Sequence, residues 1–261
     1  NGILVKDGTG LERLAEVDAV VFDKTGTLGD GTPHLVNRRN IDPAYLAIAA
    51  AMAGHSRHPI SSAIATPAPQ ANAAFDSVSE HPGLGIEACR DGHVWRLGRP
   101  DWAGSAKDSA GTVLSRDGRV VAEFRFEDRL REGAVSTIAE LKRKGLDVEI
   151  VSGDRTDAVA AMAARLGIGT WRARVLPAGK TARLGALADS GRKVLMVGDG
   201  LNDAPALAAA HVSMAPATAA DIGRSAADFV FLRPSLAAVT AALEISRRSA
   251  ALIRQNFAIA I

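Results

Sequence analysis

Asp23-Lys24-Thr25-Gly26-Thr27 follows directly on the apolar run Ala19-Val20-Val21-Phe22, so a carboxylate stands at the end of a segment that reads as a buried strand. Open α/β sheets place their ligands at such carboxyl ends. The hydroxyls of Thr25 and Thr27, with Gly26 letting the backbone approach closely, suit a phosphate and a hard cation. The same pattern recurs after Val194 to Val197, which leads into Gly198-Asp199-Gly200-Leu201-Asn202-Asp203-Ala204-Pro205. Asp199 and Asp203, four residues apart at a strand-to-helix turn, suggest a magnesium site, because magnesium takes few protein carboxylates and fills its octahedron with water and phosphate oxygens. The plain alternative is an acidic capping turn. A third strand ends in Ser152-Gly153-Asp154, offering a hydroxyl and backbone N–H groups at the start of a helix, where phosphate oxygens are favoured. Lys180, in Pro177-Ala178-Gly179-Lys180, is a candidate for the fixed positive charge that a transferring phosphoryl group requires, against the plain reading of a solvated lysine.

The elements that must position these residues show in the hydrophobic pattern. Short apolar or β-branched runs at Ala19 to Phe22, Val148 to Val151, Val194 to Val197 and Phe229 to Leu232 read as buried parallel strands. Helical patterns lie between them, Glu132 to Lys144 stopped by Gly145 and Thr156 to Leu166 stopped by Gly167. Strand alternating with helix predicts a doubly wound parallel sheet. From Leu35 to Gly118 the rhythm breaks into an alanine-rich helix near Tyr45 to Ala53, a proline-punctuated stretch from Thr66 to Pro82, and short strands near Val94 to Leu97 and Thr112 to Ser115. This stretch reads as an inserted domain. After the turn Arg116-Asp117-Gly118, a strand from Val120 to Phe126 is expected to return the chain to the first domain.

Together the strand-end motifs resemble the P-type ATPases: Asp23 to Thr27 matches that family's phosphorylation motif in full, and Gly198 to Pro205 its magnesium-binding hinge. Ser152 stands where the family usually has Thr, with Gly153 and Asp154 in place. The resemblance implies a haloacid-dehalogenase-like doubly wound α/β sheet with an inserted α+β nucleotide-binding domain. It divides the chain into a phosphorylation domain at 1–34 and 119–246, the nucleotide-binding domain at 35–118, and the start of a membrane helix at 247–261. By the same resemblance Asp23 attacks the γ-phosphate of ATP, and Asp199, Asp203, Asp23 and the carbonyl of Thr25 hold Mg2+. Ser152, Gly153, Asp154, Thr27, Asn202 and Lys180 bind phosphate. Lys24 belongs to the catalytic set, and Asp128, in Phe126-Glu127-Asp128-Arg129, matches the family's aspartate at the return to the phosphorylation domain. A carboxylate that accepts phosphate covalently splits one hard step into two.

Within the insertion, His55-Ser56-Arg57-His58-Pro59-Ile60 and Glu80-His81-Pro82-Gly83-Leu84-Gly85-Ile86-Glu87 resemble the nucleotide-binding domain of the heavy-metal subgroup. That resemblance implies that His58 and Glu80 contact adenine and that Gly83 and Gly85 admit the nucleotide backbone-close. The subgroup often carries a basic residue between the two glycines, where this chain has Leu84. It implies a copper(I) pump, with zinc, cadmium or cobalt behind. It also implies, as partners, an actuator domain and membrane helices of the same full-length protein, and a soluble portion on the cytoplasmic face of a membrane. Arg247, Arg248 and Arg254, followed by the apolar 256–261, resemble a cytoplasmic membrane flank.

Other classes fit less well. With 261 residues and a formal charge of +2 there is no electrostatic case for nucleic acid. The single cysteine, Cys89, excludes an internal disulfide or a thiolate cluster, and the six histidines lack metal-ligand spacing. Gly179-Lys180-Thr181 imitates the end of a P-loop, but Arg174 occupies the position of its first glycine. A stand-alone phosphatase of the same fold places a second aspartate two residues after the nucleophile, where this chain has Thr25. A non-catalytic nucleotide sensor would leave the acidic cluster without a role.

Overall fold

The uninterrupted apolar runs become the inner strands of a seven-stranded sheet in the computed structural model, which describes residues 2–6, 8–65, 74–104, 111–200 and 202–259, the last three as backbone only. Residues 66–73 of the proline-punctuated stretch and Leu201 lie outside the described residues, as do the last two residues of the apolar tail. The chain divides into one unit formed by 1–31 and 130–261 and a second formed by 32–129.

The first unit contains β1 (Ile3–Val5), β2 (Ala19–Phe22), β10 (Asp147–Val151), β11 (Thr170–Arg172), β12 (Val194–Val197), β13 (Val212–Pro216) and β14 (Phe229–Phe231), in the order β1-β14-β13-β12-β2-β10-β11. All neighbours are parallel except β1 with β14. Alternation along β2 sends Val20 and Phe22 into one core and Ala19 and Val21 into another, so both faces are covered. On the first face pack α1 (Gly8–Ala15), α5 (Ala134–Arg143), α6 (Thr156–Leu166) and α10 (Ala237–Ile259), contributing Leu14, Ile138, Leu141, Val159, Val239 and Leu243. On the second, α7 (Pro177–Asp189) and α8 (Ala204–Ala209) contribute Leu184, Ala206 and Leu207. A short α9 (Asp221–Ala226) precedes β14. Among the described residues, no helix is long and apolar enough to cross a membrane.

The register matters most for chemistry. Phe22 stands opposite Ile150 on one side and Val197 on the other, so the strand-end segments beginning at Asp23, Ser152 and Gly198 emerge along one edge of the sheet. This is the edge at which ligands bind in doubly wound sheets.

Two paired strands, β3 (Gly29–Leu35) and β9 (Phe126–Leu130), carry the chain out of the first unit and back. The second unit is a five-stranded antiparallel sheet of β4 (Ser77–His81), β5 (Gly85–Arg90), β6 (His93–Gly98), β7 (Thr112–Arg116) and β8 (Arg119–Phe124), with α2 (Pro43–Ala53), α3 (Pro59–Ala65) and α4 (Pro100–Ala103). Its separate core joins Met52 and Ile64 of the helices to Ile86, Trp95, Leu97, Leu114 and Phe124 of the strands. Asp42 caps α2, accepting from the Ala44 N–H at 2.8 Å, and Pro43 opens it.

Here the expectation from sequence needs correction. The strand after the Asp117-Gly118 turn does not return to the first unit; it is β8, paired antiparallel with β7. Asp117 and Gly118 both have positive φ, at 50° and 77°, and Arg116 pairs with Arg119. A two-residue loop of that kind folds the chain straight back on the preceding strand. The second unit therefore runs from Thr32 to Arg129, not from Leu35 to Gly118, and the return is made by β9.

Candidate active site

Asp23 caps the end of β2, its N–H donating to the Val197 carbonyl at 2.9 Å, and its residue is only 5% exposed. Lys180, from the first turn of α7, donates to Asp23 Oδ1 at 2.5 Å and to Asp203 Oδ1 at 2.6 Å, and all three side chains are buried. Burial and the neighbouring Asp203 charge push the Asp23 carboxyl up to about 7 from an ordinary 3.8, with Lys180 pulling the other way. For Lys180, burial favours the neutral amine, but the charges of Asp23 and Asp203 outweigh it and raise the ammonium.

Asp199 completes a cluster: one carboxylate oxygen each from Asp23, Asp199 and Asp203 lie within 4.8 Å of one another. Gly26, at φ 72°, makes this approach feasible, since a Cβ there would stand 2.4 Å from Asp199 Oδ2. An all-oxygen set of this kind fits a hard divalent cation such as magnesium.

A cavity of about 340 Å³ opens at the sheet edge and brings together Asp23, Thr25, Ser152, Gly153, Asp154 and Lys180. Asp199, Asn202 and Asp203 line it too. Three other sequence candidates are placed differently. Lys24 is buried and its ammonium lies 2.5 Å from Asp154 Oδ2, where Thr25 Oγ1 also donates at 3.2 Å. Burial alone would raise the Asp154 carboxyl, but the Lys24 bond and charge prevail and hold it below the ordinary range. Thr27 is fully buried outside the cavity lining, its hydroxyl without a hydrogen-bond partner among the described residues. Asp128 is carried on β9, within the second unit, and is not one of the residues that line this cavity.

Arg131 was not expected from sequence. Buried just past β9, it donates through Nε to the Thr27 carbonyl at 2.8 Å, through Nη2 to that of Gly26 at 2.5 Å and through Nη1 to that of Pro234 at 3.3 Å. Its own N–H meets the Leu28 carbonyl at 2.8 Å. The guanidinium thus fixes the turn that follows Asp23. Its sequence signal is only an arginine after a strand, and its partners lie 103 to 105 residues away.

In the second unit a cavity of about 180 Å³ brings together His58, Glu80, Gly83 and Gly85. Ser56 Oγ donates to Glu80 Oε1 at 2.6 Å and accepts from the His58 N–H at 3.1 Å, so Ser56, missed as a site residue, orients both. His58 Nδ1 accepts from the Ile60 N–H at 3.3 Å, which leaves the Nε2 position to carry the ring proton in the neutral imidazole. Gly85 is obligatory by space: a Cβ would lie 2.3 Å from the Leu97 carbonyl oxygen.

A buried carboxylate at the end of an inner strand of a doubly wound sheet, beside a lysine and two further aspartates, marks the candidate hydrolase site. The chain belongs to the haloacid dehalogenase-like hydrolases, whose family pattern it matches over residues 17–211. Over its whole length it is 52% identical to the nitrogen fixation protein FixI of Rhizobium meliloti (strain 1021), covering 35% of that protein. Over 98% of its length it is 39% identical to the probable copper-transporting ATPase SynA of Synechococcus, covering 34% of it. The chain spans about a third of the length of these curated relatives. Among solved structures, a zinc-transporting PIB-type ATPase in the E2.Pi state superposes over the whole chain and 46% of its own, at TM-score 0.89 and 32% identity. The catalytic domain of the CPx-ATPase CopB-B, described in terms of conformational changes upon nucleotide binding, matches 93% of this chain and 95% of its own, at TM-score 0.76 and 29% identity.

Proposed function

We propose that this chain is the ATP-binding and aspartyl-phosphorylated catalytic part of a P-type ATPase that pumps a soft transition-metal ion, copper(I) before zinc, cadmium or cobalt. The observation that carries the reading is Asp23 itself, buried at the end of the inner strand β2, gripped by Lys180 and within reach of Asp199 and Asp203. Similarity over the whole chain to metal-transporting ATPases supports it. Copper is favoured by the His58-Pro59 motif and by similarity to the probable copper-transporting ATPase of Synechococcus.

In this reading the second unit holds ATP at His58, Glu80, Gly83 and Gly85. Asp23 attacks the γ-phosphorus, a new P–O bond forms to its carboxylate, the bond to the β-phosphate oxygen breaks, and ADP leaves. Lys180 lies against the attacking carboxylate and would stabilise charge on the transferring group, while Ser152, Gly153 and Asn202 face the cavity as phosphate donors. Asp23, Asp199, Asp203 and the Thr25 carbonyl are the groups that would hold magnesium, which neutralises phosphoryl charge. Thr25 offers a hydroxyl, already donated to Asp154, where a phosphatase of this fold has a carboxylate. No strong base therefore stands at that position to activate water. The actuator domain of the full-length protein would supply it, with membrane helices carrying the ion and this portion facing the cytoplasm.

The test is incubation with magnesium and ATP labelled at the γ-phosphate, followed by acid quench. Label should be trapped in the wild type and absent in Asp23→Asn. Steady turnover should fall far below the common range of about 1 to 1,000 per second. Fast hydrolysis of small phosphate esters would instead establish a stand-alone phosphatase.

A further inference from the structure

The cavity of the second unit is small for its proposed ligand. At about 180 Å³ it falls below the roughly 300–1,000 Å³ of a pocket that encloses a whole small ligand, so a nucleotide would bury its base and leave the phosphates at the mouth. Polyanionic phosphates at the mouth need a cation, yet the lining includes a carboxylate, Glu80, and the position between the two glycines is Leu84. Leu84 is 38% exposed and cannot supply charge.

Arg99 is the one arginine or lysine among the described lining residues. Its N–H donates to the Leu84 carbonyl at 2.9 Å, which anchors it beside the residue that lacks charge. The anchor is rigid. A Cβ on Gly98 would stand 2.2 Å from the Leu84 carbonyl oxygen and one on Gly85 would stand 2.6 Å from Gly98 Cα, so the end of β6 and the glycine loop lie backbone against backbone. The Arg99 guanidinium already forms a two-pronged contact with Asp101, Nε to Oδ1 at 3.2 Å and Nη2 to Oδ2 at 3.0 Å. That fork also matches two oxygens of a phosphate. Both side chains are about 60% exposed, at 62% and 59%, so the pair is weak and a more highly charged partner can displace Asp101.

We propose that Arg99 supplies the cation that grips the phosphate chain of the bound nucleotide, replacing in space the basic side chain that is missing at Leu84. This rests on the nucleotide-binding reading given above and adds a named binding residue to it.

The experiment is calorimetric titration of the 261-residue chain with ADP and with adenosine, in the wild type, Arg99→Ala and Arg99→Lys. ADP avoids phosphoryl transfer. Loss of a charge-assisted hydrogen bond should raise the ADP Kd about tenfold in Arg99→Ala while adenosine changes less than about twofold. Arg99→Lys, a point charge without the fork, should fall between. Unchanged ADP affinity in Arg99→Ala would overturn the proposal, and so would equal weakening of ADP and adenosine, which would mean that Arg99 only shapes the cavity. A wild-type chain that binds neither ligand would remove the nucleotide-binding reading itself, an outcome distinct from both.

Discussion

Asp23 carries an electrostatic cost in the fold, being buried beside the Asp203 carboxylate. With its carboxyl raised to about 7, the folded chain keeps a proton that the unfolded chain has already released near pH 4. Raising the pH from about 4 to about 7 therefore lowers stability through this group, because over that window the native state binds more protons than the unfolded one. Asp23→Asn removes the ionisation, so the variant should melt at a higher temperature than wild type at pH 8, with little or no advantage at pH 4, in magnesium-free thermal denaturation. An equal difference at both pH values would show that the carboxyl is not raised. The site residues themselves were legible in sequence because they are clustered at strand ends: Asp23 to Thr27, Ser152 to Asp154 and Gly198 to Pro205 each need only a few consecutive letters. Arg131 was not, since its meaning lies in carbonyls at Gly26, Thr27 and Pro234 that no local pattern connects to it. Lys24 was legible as part of a motif but not as the partner of Asp154.

At the scale of elements, α9 lies backbone against backbone with the turn that carries Asp199. A Cβ on Gly223 would lie 2.3 Å from Gly200 Cα and 2.6 Å from the Asp199 carbonyl oxygen, and Gly200 itself sits at φ 77°. The helix therefore braces the turn that presents the Asp199 carboxylate. Gly223→Ala should force the two apart, costing about 1–3 kcal/mol of stability by overpacking, and should weaken magnesium binding measured calorimetrically in the presence of a phosphate analogue. Unchanged stability and unchanged magnesium affinity together would refute the bracing role. Inner strands were legible because burial on both faces demands continuous apolar runs, as in β2, β10 and β12. β13 was missed for a physical reason: Val-Ser-Met-Ala-Pro is interrupted by Ser213, whose burial is permitted only because its N–H and hydroxyl both donate to Asp228 at 2.9 and 3.1 Å. β8 was read as a strand but given to the wrong unit, because alternation shows that a strand has two faces and not which sheet receives it.

At the scale of the whole molecule, the corrected boundary makes its own prediction. A fragment of residues 32–129 keeps β8 and the fully buried Phe124 with the rest of the second core, and should unfold cooperatively in urea. A fragment of 35–118 loses that strand and leaves β7 as an unpaired edge; it should show no cooperative transition. Cooperative unfolding of the shorter piece would restore the boundary first expected.

The place of β2 inside its sheet, between β12 and β10, also governs how the protein comes into being. β2 is made before both of its neighbours, β10 and β12 being translated roughly 125 and 170 residues later with the second unit lying between in sequence. At about 5–20 residues per second, the Ala-Val-Val-Phe strand waits on the order of ten seconds on the ribosome with no native partner. The second unit, whose five-stranded sheet pairs each strand with its neighbour in sequence, can collapse during that wait and brings the ends of the long loop closer together. Slowing its collapse should thus lower the yield of the sheet that surrounds it, and the nascent β2 is the segment where a chaperone would be needed.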